Sequence, residues 1–212
     1  MLFSYQMLKK VLLSSLLVVT AVFVLAASLL RCASVDYAFS GQPNEQATAD
    51  LKKVDYNLPY PGGILPDSPL WPIKALRDRL WLWLTFNESK KAELMLLYAD
   101  KRLASSQLLF QKDKAEIAFS TLTKAEKYLE SASLQVGECW NKGLDTKSLS
   151  YKVALAALKH QEVIQEILAV APEDARAGVI KTMDTPQNIF ARCRVSLVSR
   201  GLNPPENPFN TQ

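Results

Sequence analysis

An apolar heptad pattern in the middle of the chain is the feature that most constrains its fold. Between residues 115 and 136, apolar side chains recur at alternating spacings of three and four residues: Ala115, Ala118, Leu122, Ala125, Leu129, Ala132 and Val136. This spacing places a narrow apolar seam along one face of a helix, and its alanines let a second helix approach closely. We interpret the seam as the core contact of a helix hairpin rather than as a functional groove.

The segments on either side carry the same helical pattern. Asn87 is a suitable N-cap for a helix over residues 88–111, and Glu88 suits the positive end of its dipole. The apolar face of that helix consists of Ala92, Met95, Ala99, Leu103 and Phe110. A turn over residues 141–147 leads to a helix over residues 148–171. Its apolar face consists of Val153, Ala156, His160, Ile164, Ile167 and Ala171.

The C-terminal third predicts a divided helix. Pro172 and the two acids after it suit a first turn, and Pro186 must interrupt the helix that follows. We therefore expect two pieces, residues 173–183 and 186–200. The seven glycines do not recur as turn signals between alternating runs, which argues against a β fold. We predict an all-α domain over residues 61–200, an antiparallel bundle of about four long helices plus a short proline-initiated amphipathic helix.

The short helix follows the proline-rich stretch PGGILPDSPLWP, whose prolines stiffen the chain. It begins either at Pro69, with Ser68 as its cap, or at Pro72. We expect its apolar stripe to close the bundle. The stripe consists of Leu70, Ile73, Leu76 or Arg77, Leu80 and Leu84.

Three tryptophans form the candidate partner surface of this helix: Trp71, Trp81 and Trp83. They cannot all lie on the apolar stripe, so at least one of Trp81 and Trp83 widens it. We favour packing of that ring on a second helix. Exposure towards the membrane interface or a partner is the alternative.

The N-terminal residues predict a transmembrane helix in front of the domain. Residues 11–30 carry no charge and, at about 1.5 Å per residue, span about 30 Å. Lys9 and Lys10 before this run, with Arg31 alone after it, favour a cytoplasmic location for residues 1–10. We favour an uncleaved anchor, and a cleaved signal peptide with small residues around Ala26 is the alternative. Both interpretations export residues 35–212.

Composition also bears on the ends of the domain and on its partners. Residues 31–60 are polar and aperiodic and predict a flexible linker, and residues 201–212, with three prolines, predict a disordered tail. Three of the 25 basic residues precede residue 35, where there is no acid. The rest of the chain is therefore nearly neutral and lacks the basic footprint of a nucleic-acid-binding protein.

The chain carries no recognisable catalytic or metal-binding motif. It has no HExxH, CxxC, GxSxG or phosphate-binding glycine loop. We interpret its one histidine, His160, as a hydrogen-bonded packing residue on the apolar face of its helix. Carboxylates among lysines and arginines are predicted to lie on solvated helix faces: Asp78, Glu93 and Asp100. We therefore expect no catalytic residues, no cofactor and no metal.

The cysteines allow one disulfide in an exported domain. Cys139 ends the third helix, and Cys193 lies late in the last helix, which should run in the same direction. Their levels along the bundle then match to within about 10 Å. We hypothesise a Cys139–Cys193 disulfide, which the chain-entropy model makes worth about 4 kcal/mol. Two separate buried thiols are the alternative, and Cys32 would be unpaired in a monomer.

Residues 62–104 resemble a known family. GGILPDSPLWPIKALRDRLWLWLTF followed by NESKKAELMLLYADKRL is similar to an uncharacterised family of exported bacterial helical domains, carried as a domain of unknown function. Trp71 fills the aromatic position of its motif, while Asn87 and Glu88 replace the usual Asp and Pro. The later segment APEDARAGVIKTM also resembles the family, so that the similarity covers about residues 61–183. The resemblance implies an envelope protein with an N-terminal membrane segment or signal. It supplies no established activity, cofactor or catalytic residue that could be carried over to this chain.

Together these features predict a membrane-tethered extracytoplasmic helical module. We expect a role in protein–protein interaction or in the structure of the cell envelope. One alternative is an enzyme, or an accessory domain, acting on an envelope substrate. Another is a sensor, which would need a separate signalling partner because only ten residues precede the membrane segment. The sequence does not decide the oligomeric state.

Overall fold

The structure, a computed structural model, describes residues 15–20 and 53–209. The chain divides into two units, residues 1–36 and residues 37–212. In the first unit, residues 15–20 are helical. No helix among the described residues has the length and apolar character needed to cross a bilayer. The rest of the predicted anchor, Cys32 and most of the predicted linker lie outside the described residues.

In the second unit, the regular structure of residues 53–209 is helical, which confirms the all-α prediction. Six helices follow one another: α1 (Trp71–Leu84), α2 (Glu88–Phe110), α3 (Ala115–Asn141), α4 (Lys147–Val170), α5 (Glu173–Thr182) and α6 (Asp184–Val198). Three of them are long, α2 with 23, α3 with 27 and α4 with 24 residues. The last helical region is divided into α5 and α6, as predicted, and the chain turns between them at Met183.

Local sequence explains several helix ends. The Asn87 side chain caps α2 as predicted, since its Oδ1 accepts a hydrogen bond from the Lys90 N–H at 3.0 Å. Gly143 follows the end of α3 with φ of 79°, a left-handed conformation that glycine adopts without strain. Pro186 lies in the first turn of α6, where a backbone N–H has no helical partner. The proline is therefore accommodated inside α6, and the predicted division falls slightly earlier, at Met183.

The helices α2 and α3 form an antiparallel hairpin. Near its turn, the Ser106 hydroxyl donates to the Ala118 carbonyl at 2.8 Å, and at its open end Lys142 forms an ion pair with Glu88. The seam of α3 lies in the core as predicted, with all of its members after Ala115 buried. The predicted apolar face of α4 is buried as well.

The core consists of two apolar clusters that follow each other along the bundle. The first joins α2, α3, α4 and α6 and includes Leu96, Leu129, Val153 and Ile189. The second joins α2, α3, α4 and α5 and includes Leu103, Leu122, Ile164 and Val179. Burial of these aliphatic side chains is the main source of stability for the domain.

Residues 53–64, here called the N-terminal strap, run along the bundle, although the sequence placed residues 53–60 in the flexible linker. Val54 is buried, and its N–H donates to Glu162 Oε2 at 2.7 Å. Tyr56 donates its hydroxyl proton to Asp100 Oδ2 at 2.6 Å. Each contact involves one residue of the strap, so the strap has no apolar periodicity from which its packing could be predicted.

The C-terminal residues also pack against the helices, in contrast to the predicted disordered tail. Pro205 is buried, and Leu202 and Phe209 lie against the first apolar cluster. The prolines that suggested disorder instead shape an extended segment that follows the surface of the bundle.

The predicted disulfide is not formed, because Cys139 and Cys193 are free buried thiols. The helix α6 does run parallel to α3, since Cys193 Sγ lies 4.0 Å from Ser133 Oγ and Arg200 Cζ lies 3.5 Å from the Trp140 ring centroid. Cys139 is thus about six residues, or about 9 Å, beyond the level of Cys193. A disulfide spans Cα atoms no more than roughly 7 Å apart. The levels match as closely as predicted, yet not closely enough for a bond.

Candidate functional site

The first helix is held in place by the proline-rich turn before it. The turn closes through the Ser68 N–H, which donates to the Leu65 carbonyl at 2.9 Å, and the Ser68 hydroxyl accepts from Leu70 rather than capping the helix. The helix begins at Trp71 with Pro72 in its first turn, close to the second of the two predicted starts. The ammonium group of Lys74 donates to the strap carbonyls of Pro61 and Ile64 at 2.8 and 2.9 Å.

The side of α1 that faces the bundle mixes polar and apolar side chains, among them Lys74, Ala75 and Leu82, which are half-buried. Its one buried residue is Asp78, whose Oδ1 lies 2.6 Å from Arg77 Nη2. Burial, and then the neighbouring Asp78 carboxylate, raise the pKa of Tyr98 to about 12. Asp78 was predicted on a solvated face, and that prediction is wrong because α1 lies with this carboxylate towards α2.

A stack of cationic and aromatic groups completes the contact between α1 and the bundle. The Arg102 guanidinium lies 4.3 Å from the ring centroid of Tyr128 and 6.0 Å from that of Trp71. The Lys74 ammonium lies 5.0 Å from the Trp71 ring. Such cation–π contacts contribute roughly 0.5–2 kcal/mol each. Trp71, one of the three predicted surface tryptophans, is therefore half-buried at the N-terminal end of α1.

The opposite side of α1 is apolar and faces solvent. This outer face consists of Ile73, Leu76, Leu80, Trp81, Trp83 and Leu84, all of them exposed. Trp81 is 64 % and Trp83 75 % exposed, and Phe86 just after the helix is 88 % exposed. The predicted apolar stripe therefore exists but does not close the bundle. The preferred prediction that Trp81 or Trp83 packs on a second helix is wrong, and the exposed alternative holds for both.

Two arginines flank the part of the outer face that runs from Trp83 to Leu84, and Trp81 lies beyond Arg77. Arg77 and Arg79 are exposed and, being two residues apart on a helix, lie about 160° from each other around its axis. The single acid of α1, Asp78, is buried and pairs with Arg77, and Arg79 adds a second exposed positive charge to the outer face. Beside its first turn is a groove of about 310 Å³ lined by Ile64, Leu70, Ile73, Lys74 and Arg77.

The second polar feature is a charge layer buried inside the bundle. His160 is fully buried and hydrogen-bonded, as predicted, with Nδ1 2.6 Å from Glu126 Oε1 and Nε2 3.3 Å from Asp100 Oδ1. Burial alone would lower the pKa of His160, but the charge of Glu126 and the hydrogen bonds to Asp100 and Glu126 outweigh it and raise this pKa to about 9. The imidazole is thus protonated at neutral pH and donates from both nitrogens.

The charge layer separates the two apolar clusters. On each of three helices, one residue of the layer lies between the positions that belong to one cluster and those that belong to the other. These residues are Asp100 in α2, Glu126 in α3 and His160 in α4. Asp100 was predicted on a solvated face and is instead 3 % exposed, whereas Glu93 is exposed as predicted. A local signal for the burial exists, because core leucines stand four residues before and three residues after Asp100 and Glu126 alike.

The layer has the character of a structural network rather than of an active site. All three of its side chains are closed to solvent, so a substrate has no access to the imidazole. Burial, and then the Asp100 carboxylate, raise the pKa of Tyr56, whose hydroxyl joins the layer from the strap. In the described residues, no group of three or more His, Cys, Asp and Glu side chains has the arrangement of a metal site. The network therefore fastens the strap and α2 to α4.

The part of the chain from the end of the strap to the start of α5 is similar to a known protein family. A family model matches residues 63–174, slightly more than half of the chain. The chain belongs to the family described as domain of unknown function DUF5667. The match confirms the resemblance to a domain of unknown function. The DUF5667 region contains α1 to α4, including the outer face and the whole charge layer, and its description assigns no activity. No curated protein and no solved structure matches the chain.

Proposed function

We propose that this protein is a membrane-tethered, extracytoplasmic helical module that works by binding rather than by catalysis, with the outer face of α1 as its docking element. The observation that carries the proposal is the orientation of α1, which buries Asp78 and exposes its apolar stripe. A surface helix of a soluble domain normally does the reverse. Contiguous exposed apolar surface of this kind is typical of an interaction site.

The attachment of α1 supports a docking role. Lys74 binds two carbonyls of the strap, and Trp71 stacks on Arg102. These contacts hold the helix in one orientation before any partner arrives. A docking face that is already ordered loses less conformational entropy on binding than a mobile one.

The N-terminal sequence supports the location. The uncharged residues 11–30, with Lys9 and Lys10 before them, favour a segment that enters the membrane with residues 1–10 in the cytoplasm. An uncleaved anchor would keep the domain at the membrane surface, whereas a cleaved signal peptide would release it.

The closed charge layer supports binding over catalysis. His160 is the one histidine of the chain and is held between two carboxylates without access for a substrate. A general base must come within hydrogen-bond reach of the proton that it removes. Envelope proteins and membrane lipid are the two kinds of partner that such a face can bind, and the experiments below separate them.

The proposal is tested in intact cells with a photoreactive phenylalanine analogue at the position of Trp83. The same analogue at Val195, an exposed position of α6, is the matched control. We expect crosslinked adducts from position 83 and none from position 195. Equal labelling from both positions, or none from position 83, would contradict a docking role for the outer face. Protease added outside the cytoplasmic membrane should cleave residues 53–209, and their protection would contradict the location.

A further inference from the structure

We infer that the outer face of α1 docks on the lipid surface of the membrane that holds the N-terminal segment, with anionic lipids as its preferred ligands. The inference rests on the proposed function and names the occupant of its docking element. In this arrangement α1 lies in the plane of the membrane, and the bundle stands on the aqueous side. The domain thereby gains a fixed orientation at the membrane surface.

The shape of the apolar surface fits a flat support. From Trp83 to Leu84 the apolar side chains cover about 100° of the helix surface, and Trp81 extends this surface beyond Arg77, so that the two indole rings stand about 160° apart. A helix that binds in a protein groove presents a narrower stripe of positions three, four and seven residues apart. The wide apolar arc of α1 resembles that of helices lying in a membrane interface.

The charges of the outer face fit the headgroup layer. Arg79 stands at one edge of the apolar arc, where its long side chain can bury its aliphatic stem and extend its charged end to lipid phosphates, whereas the Arg77 guanidinium is hydrogen-bonded to Asp78. Asp78, which anionic lipids would repel, is buried against the bundle. Each basic residue near an anionic membrane surface contributes about 1 kcal/mol to binding.

The aromatic side chains mark the depth of insertion. Trp81, Trp83 and Phe86 gather at the C-terminal end of α1 and are more than half exposed. Tryptophan is enriched at membrane–water interfaces because its ring is apolar and its N–H is polar. At the other end of α1, the groove lined by Ile64, Leu70 and Ile73 adds aliphatic walls suited to an acyl chain.

The short connection to the predicted anchor makes weak docking sufficient. About 20 residues lie between residue 30 and the strap, and even a fully extended chain of this length spans at most about 70 Å. A tether of this length limits how far the domain can move from the lipid surface. For a docking step within one molecule, the effective concentration reaches the millimolar range.

The inference is tested with the full chain reconstituted into vesicles of phosphatidylcholine and phosphatidylglycerol, with lipids brominated on their acyl chains. Bromine quenches tryptophan fluorescence at contact distance. We expect the tryptophan fluorescence of the wild type to be quenched. Quenching should largely disappear in the Trp81→Phe/Trp83→Phe variant, which retains Trp71 at the start of α1 and Trp140 in α3. Vesicles of phosphatidylcholine alone should give weaker quenching, and Arg77→Gln/Arg79→Gln should remove that difference between the two lipid compositions.

A matched pair of variants separates docking from folding. Leu80→Glu/Leu84→Glu places acids on the outer face and should lower the docked fraction relative to the undocked on the order of tenfold. Val195→Glu/Val198→Glu makes the same change at exposed positions of α6 and should leave quenching unchanged. All four side chains are exposed, so the thermal unfolding temperature should be nearly the same for both variants.

The outcomes distinguish this inference from the proposed function. Quenching that is equal in the wild type and in Leu80→Glu/Leu84→Glu overturns lipid docking. Crosslinks from position 83 to a single envelope protein, without lipid adducts, also overturn it but leave the docking role of α1 intact. Release of the full chain from the vesicles by alkaline carbonate overturns the tether itself, whatever the tryptophan fluorescence does.

Discussion

The helices α1 and α2 use the same residue types in opposite ways. In α2, Leu96 and Leu103 are buried, and Asp100 is buried between them with hydrogen-bonding partners. In α1, Asp78 is buried while Leu76, Leu80 and Leu84 are exposed. Both helices are amphipathic, so periodicity alone does not tell which side is covered. The difference shows that polar contacts to other segments decide which side of an amphipathic helix packs against the rest of the domain.

The two helices also differ in what the buried carboxylate contributes. Asp100 belongs to a layer in which a protonated His160 stands between two acids. Asp78 pairs with its neighbour Arg77, whose side chain is largely exposed. The first arrangement is sensitive to the loss of any member, because buried charges without a partner are strongly destabilising. The second is an ion pair near solvent and contributes little.

The largest expected effect comes from removing the central charge of the layer. His160→Leu leaves Asp100 and Glu126 buried with no cation between them and should lower the free energy of unfolding by about 3–5 kcal/mol. Urea unfolding of the full chain in mild detergent measures the change. Replacing all three members by leucine should recover most of the loss, because an apolar layer needs no counter-charge. A loss below about 1 kcal/mol for His160→Leu would show that the acids are neutral or solvated.

The same layer predicts a dependence of stability on pH. The pKa of His160 is raised from 6.5 to about 9, so its protonated form stabilises the fold fully below pH 6.5 and loses this contribution as the pH rises through 9. Stability should therefore fall by on the order of 3 kcal/mol across that window. Unfolding measured at about pH 6 and about pH 10, outside both ends of that window, tests the slope. The His160→Leu variant should lack the slope, and an equal slope in that variant would assign it to other groups.

Much of the bundle was predictable because its helices are amphipathic with one apolar side only. The seam of α3 correctly predicted the buried positions of that helix, and Asn87 correctly predicted the start of α2. The orientation of α1 was not predictable, since it depends on Lys74 reaching two carbonyls of the strap and on Trp71 meeting Arg102. These contacts join segments that no local period connects.

The charge layer was predictable only in part. The leucines around Asp100 and Glu126 place both acids on the core side of their helices. Their shared partner, however, comes from α4, 60 residues from Asp100 and 34 from Glu126. A single sequence contains no signal for the helix register that brings them together. The same long-range register explains why Cys139 and Cys193 remain unbonded.

A pair of glycines gives the next largest effect and tests the packing of α5 on the bundle. A Cβ added at Gly178 would lie 2.7 Å from Cζ of the buried Phe119 ring, whereas one at Gly137 of α3 would meet nothing within 4 Å. Gly178→Ala should therefore destabilise the domain by about 1–2 kcal/mol after its gain in helix propensity. Gly137→Ala should stabilise it by about 0.5–1 kcal/mol. Thermal unfolding of both variants measures the difference, and a stabilising Gly178→Ala would mean that the Phe119 ring moves aside freely.

The smallest expected effect sharpens the comparison between α1 and α2 most directly. Leu80→Ala removes an exposed side chain of α1 and should change the free energy of unfolding by less than about 0.5 kcal/mol. Leu96→Ala makes the same chemical change at a buried position of α2 and should cost about 2–5 kcal/mol. Urea unfolding in detergent compares the two on one scale. If Leu80→Ala proved as destabilising as Leu96→Ala, the outer face would already be covered within the domain, and α1 would have no free surface for a membrane or a partner.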